Sequence, residues 1–194
     1  MQTTFDTVRE RLYDITARFF AGATVIWAEQ TNTQANLPYV TMKLGGIRRS
    51  THPVCDPAFG PCYHCETVAE FNLYTQGRAI TVAKKATGNF VNTAASDLME
   101  FANFMESPGV IDALSNPPIS VILKGEVRDL SFLENDRHNR YRAMAEFDVS
   151  YVMPADGWYG VLGNQAPNAS GGDTEGLASE VIEAIEEAEV EEIE

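Results

Sequence analysis

The sequence predicts an α+β fold, a mostly antiparallel sheet of about five strands with helices packed on one face. Three observations predict it. Between Arg137 and Met153, Tyr141, Ala143, Ala145, Phe147, Val149 and Tyr151 alternate with Arg140, Arg142, Met144, Glu146, Asp148 and Ser150, the period of a long strand with one apolar face. Two other stretches, at the start of the chain and in its middle, repeat apolar residues at helical spacing instead. The first three extended segments follow one another without a helix, whereas a parallel doubly wound sheet needs a crossover helix at each step.

Taken in order, Phe5, Val8, Leu12, Ile15 and Phe19 form the stripe of an amphipathic helix, with Thr3 and Thr4 as caps and Gly22 as a stop. Val25 to Glu29 reads as a short strand, Gln30 to Asn36 as a loop, and Tyr39 to Ile47 as a second strand interrupted by Gly45-Gly46. Arg48 to Cys65 carries three prolines and all three cysteines and reads as an excursion between strands. Glu66 to Thr75 alternates again, with Ala69, Phe71 and Leu73 on one side, and is the third strand. A long helix is expected from Arg78 to Met105, because Val91, Ala94, Ala95, Leu98, Phe101, Ala102 and Met105 keep the helical period. A short helical turn around Val110, Ile111 and Leu114, a fourth strand from Ile119 to Leu130 and the strand described first complete the domain. It is expected to span residues 1–162, with a Cys/His-rich loop inserted at 48–65. Gly, Pro, Asn and Ser then mark a linker, and an acidic C-terminal segment completes residues 163–194.

Composition excludes several classes. At 194 residues the chain can bury a core without disulfides or metals. Of the net charge of -14, ten acids and no base lie in residues 173–194, which leaves a body of 18 acids against 14 bases. No Arg or Lys follows Arg142 and no basic stripe mixes with aromatics, so a grip on nucleic-acid phosphates is not expected. The N-terminus lacks the pattern of a signal peptide, and no apolar run approaches the roughly 20 residues that span a bilayer. A soluble protein made in a cytoplasm is expected.

The only metal-like constellation is His52-x-x-Cys55 and Cys62-x-x-Cys65. Two such pairs would supply the four ligands of a closed structural zinc site that rigidifies a proline-rich loop. The competing readings are three free thiols or two that oxidise once outside the cell, and zinc ribbons usually separate their pairs further. His138 sits in a polar turn and reads as solvent-exposed. No nucleophile with its base, phosphate-binding loop or carboxylate pair has a convincing context, so no catalytic residue and no certain cofactor is expected. Leu177, Val181, Ala184, Ile185 and Ala188 give the acidic segment a helical stripe, although Glu183 and Glu187 repel at that spacing.

Three places carry a family resemblance: Val25-Ile26-Trp27-Ala28-Glu29-Gln30 leading to Leu37-Pro38-Tyr39-Val40-Thr41, Glu70-Phe71-Asn72-Leu73-Tyr74, and Arg142 to Tyr151 as the last strand. With the element order, residues 4 to 153 resemble the neck or tail-terminator proteins of tailed bacteriophages. The resemblance implies a virion protein, made in the host bacterial cytoplasm, that forms a six-fold ring at the head-proximal end of the tail. Such a ring stops growth of the tail tube and joins tail to neck. The implied partners are further copies of the chain, tube and sheath proteins and a head-side connector, with DNA sliding through the lumen unbound and no membrane contact. A closed ring needs a head-to-tail interface, for which a sheet edge and the polar side of the last strand, with Arg140, Arg142, Glu146 and Asp148, are the candidates. The excursion from His52 to Cys65 and the segment after Leu162 are expected to depart from the family pattern. The alternatives are a tail-tube or sheath-associated protein, another head–tail connector, or a small zinc-stabilised binding module.

Overall fold

Helix α1, Thr4–Phe19, buries Val8, Leu12 and Ile15, the stripe its spacing dictates, and Thr16 satisfies its hydroxyl by donating to the Leu12 carbonyl at 2.6 Å. That stripe lies over a sheet. In the computed structural model, residues 4–30, 35–56, 60–82, 85–134 and 138–154 are described, and of these the side chains at 55–61, 82–87, 132–139 and 154 are not.

The sheet is built from β1 (Thr24–Trp27), β2 (Tyr39–Leu44), β5 (Gly60–Thr75), β10 (His138–Pro154) and β8 (Ile119–Asp129), side by side in that order. Short strands β3 (Arg48–Arg49) and β4 (Val54–Asp56) pair with β5, and β9 (Phe132–Glu134) pairs with β10. All neighbours run antiparallel except β1 and β2, which are parallel and joined through a short 3-10 turn at Ala28–Gln30. Strands β5 and β10 stay in register from Tyr141 opposite Thr75 to Pro154 opposite Cys62 and form the spine of the molecule. Between β10 and β8 the register shifts at Met144/Glu146, where Gly125, at φ 75°, lets β8 bulge.

Alternation decides which side is buried. Val40 and Met42 of β2, Ala69, Phe71 and Leu73 of β5, and Ala143, Ala145, Phe147 and Val149 of β10 all face the helices and are essentially inaccessible. Helix α2 (Ala94–Met105) sets Leu98, Phe101, Ala102 and Met105 against them, and α3 (Pro108–Ala113) adds Val110. The Phe101 ring is the hub, with centroids at 5.4 Å from Phe19, 5.2 Å from Phe20, 5.2 Å from Phe71 and 5.9 Å from Phe147.

Two expectations are corrected. The helix expected from Arg78 begins only at Ala94; residues before it form a separate two-stranded hairpin, β6 (Arg78–Val82) and β7 (Lys85–Val91). The β-branched run Ile80-Thr81-Val82 favours strand, and Gly88, at φ 79°, adopts a backbone that a helix does not contain. The excursion at 48–65 is likewise no loop: β5 already starts at Gly60 and carries Cys62 and Cys65 within it, flanked by β3 and β4.

Contacts gather Thr4–Asp156 into one compact unit. The domain end expected at residue 162 and the segment 163–194 lie outside the described residues. Among the described residues no helix is long and apolar enough to cross a membrane.

Candidate assembly surfaces

The face of the sheet turned away from the helices is largely polar, and several of its charges are paired within the protomer. Register places Lys43, Glu70, Glu146 and Lys124 in one row across β2, β5, β10 and β8. Glu146 pairs with Arg128 at 3.4 Å and Asp148 with Lys124 at 3.3 Å, exposed bridges that contribute about 0–1 kcal/mol each. Two rows along the same face Tyr39 stacks on Tyr74 at 4.5 Å, and the Arg142 guanidinium lies over Tyr74 at 5.3 Å. Arg142 also donates from Nε and Nη2 to the Asn72 Oδ1, at 3.1 and 2.8 Å, while Asn72 donates to Glu70 at 2.7 Å. Of the four residues proposed from sequence as an interface, Arg142, Glu146 and Asp148 thus share this face, and half-buried Arg140 lies further along β10, opposite Phe132 of β9.

Of the four residues expected to bind zinc, three have described side chains. His52 and the neighbouring His64 are exposed, and the Cys55 side chain lies outside the description. Cys62 and Cys65 are buried, but three residues apart on an extended strand they point to opposite faces and about 10 Å separates their backbones. A C-x-x-C chelate needs a turn at that place, and β5 is paired on through it. Among the described residues no three His, Cys, Asp or Glu side chains are gathered to hold a metal. Cys65 joins the core instead. Burial pushes its thiol up against the opposing pull of Arg49 and of a hydrogen bond with Tyr151, and burial together with Cys65 pushes the Tyr151 hydroxyl up to about 12.

Two features went unseen in the sequence. The first is the hairpin, whose Ile80, Phe90 and Val91 are exposed. Its root is clamped: the Tyr141 hydroxyl donates to the Phe90 carbonyl at 3.3 Å, and the Asn92 amide donates to Asp129 at 2.7 Å and to Ser131 at 3.1 Å. The Ser131 hydroxyl and N–H and the Asn92 amide hold the Asp129 carboxyl below its usual range. Gly77, at φ 77°, passes so close to Val91 that an added Cβ would stand 2.1 Å from the Val91 carbonyl. The second is a groove of about 340 Å³ between the end of α1 and α2, floored by Phe19, Phe20, Pro38 and Leu73 and rimmed by Asp97 and Glu100. The alternation of Ile80-Thr81-Val82 and the exclusively basic charge of residues 78–91 were the available signals for the first; the groove, made from four separate elements, left none.

A helix-covered sheet with a largely polar outer face, an apolar arm and an apolar groove gives the chain surfaces suited to assembly. The model of the phage neck terminator protein family matches residues 7–193, and the chain belongs to that family. It is therefore a structural protein of the phage tail and neck, and not an enzyme. The residues matched include the 48–65 region and nearly all of the acidic segment. No curated protein matches the chain.

Proposed function

We propose that the protein closes into a ring, of six subunits, at the head-proximal end of the tail, where it ends growth of the tail tube and joins tail to neck. Membership of the neck terminator family supports the location. The observation that carries the ring is the β6–β7 hairpin. A two-stranded ribbon is marginal by itself, and this one holds Ile80, Phe90 and Val91 exposed, an arrangement suited to burial against another subunit. Arm and groove are different surfaces, so a contact between them is head-to-tail and closes into a ring when the rotation permits. The polar face of β10, with Arg140, Arg142, Glu146 and Asp148, is the second surface proposed to meet a neighbouring subunit. DNA passes through the lumen unbound in this reading, as suits a chain whose net charge of -14 repels phosphates. Tube, sheath and head-side connector proteins are the proposed axial partners.

Negative-stain microscopy with mass determination, on the protein alone and mixed with tail tubes, tests the proposal. Uniform rings that cap tube ends are expected. Open filaments would replace termination with tube-like polymerisation, and monomers that ignore tubes would overturn the assembly reading.

A further inference from the structure

We propose that the β6–β7 hairpin of one protomer seats in the α1–α2 groove of the next, so that arm and groove form the head-to-tail contact; this rests on the ring reading above. Shape, polarity and charge each support the pairing. The groove offers an apolar floor of Phe19, Phe20, Pro38 and Leu73, open to solvent and large enough for one or two bulky side chains. The hairpin offers exposed Ile80, Phe90 and Val91, the kind of apolar surface such a floor would cover. The rim of the groove is acidic, with Asp97 and half-open α2 carrying Glu100 toward solvent. Beyond Arg78, whose partner Asp97 lies in its own chain, the arm is basic: residues 79–91 contain Lys84 and Lys85 and no acid. Opposite charge at a rim steers the encounter and fixes which surfaces meet.

The arm does not serve its own groove. Arg78, at the root of the hairpin, already pairs with Asp97 of the same chain at 3.4 Å, so the root stands at the rim of the protomer's own groove. None of the groove's lining residues comes from the hairpin, and Ile80, Phe90 and Val91 remain exposed beside it. A second copy of the chain is the occupant that brings an acidic apolar groove to each arm and a basic apolar arm to each groove, with neither left over.

Charge exchange tests this. An arm variant carrying Lys84→Glu and Lys85→Glu and a groove variant carrying Glu100→Lys should each weaken ring formation by about tenfold per contact. Mixed in equal amounts, the two should regain rings of wild-type size in which the variants alternate, because the acidic arm of one suits the basic groove of the other. Variants that assemble as well as the unaltered protein, or a mixture no better than its components, would overturn the contact. As a second measurement independent of these substitutions, a photo-crosslinker at Lys85 should join the neighbouring copy at residues 19–23 or 97–100. Crosslinks confined to other regions of a ring would overturn the arm-to-groove contact while leaving the ring in place; absence of any ring, alone or on tail tubes, would overturn both.

Discussion

Substituting Gly77 by alanine should loosen the root of the hairpin, and two glycines of nearly equal φ allow the magnitude to be divided. Gly77 and Gly88 stand at φ 77° and 79°, so alanine at either enters the left-handed region at about 1–2 kcal/mol. Nothing lies within 4 Å of a Cβ at Gly88, and that conformational cost is all that Gly88→Ala should show. At Gly77 the new methyl would stand 2.1 Å from the Val91 carbonyl and 2.9 Å from the Tyr141 ring. Backbone must move, because the carbonyl belongs to the residue paired with Arg78 at the base of β6 and β7. Breaking that pairing and the Tyr141 bond to Phe90 forfeits about 1 kcal/mol each, which brings Gly77→Ala to about 3–4 kcal/mol against about 1–2 for Gly88→Ala. Urea denaturation gives the two differences, and hydrogen exchange over residues 78–91 reports whether the root has opened. Equal destabilisation by the two substitutions, with wild-type exchange in the hairpin of the Gly77 variant, would refute the steric reasoning.

Phe101→Ala removes the ring on which four other phenylalanines converge and should destabilise the fold by about 3–5 kcal/mol in the same denaturation assay. The Asp129 carboxyl titrates below its ordinary value of 3.8 in the folded protein, so its contribution is present above that value and disappears as pH falls through the lower folded one. Asp129→Asn should therefore flatten the acid limb of the stability profile and leave the profile near neutral pH with the same shape. Because β5 holds Cys62 and Cys65 on opposite faces, dialysis against a chelator should not move the thermal midpoint, and the two thiols should resist a bulky thiol reagent until the protein unfolds. A chelator-sensitive midpoint would restore the zinc site expected from sequence.

What was legible in the chain follows the physics of each segment. The last strand was plain because seventeen residues from His138 to Pro154 alternate on a sheet with one dry face, and α1 was plain because its stripe meets the same core. The region from Arg78 to Val91 was misread because Val91 happens to fall in phase with Leu98 and Phe101, while the hairpin itself buries too little to impose a clear alternation. Residues 48–65 were misread because prolines and paired cysteines suggest a loop, yet β5 needs only its neighbours to keep it extended. Of the surfaces, the charged side of β10 could be read from Arg142, Glu146 and Asp148. Their partners Asn72, Arg128 and Lys124 could not, since these come from other strands and depend on register.

The uninterrupted pairing of β5 with β10 also has a mechanical meaning. Fourteen residue pairs in one ribbon extend about 45 Å, longer than the helices that cover it. A pull along the ribbon, applied at opposite ends of its two strands, loads the cross-strand hydrogen bonds side by side, and they must yield together. A pull that peels one strand sideways meets them one at a time. A subunit that carries load through this sheet is therefore strongest along one line, and the direction of that line sets how much thrust it bears before a strand slips.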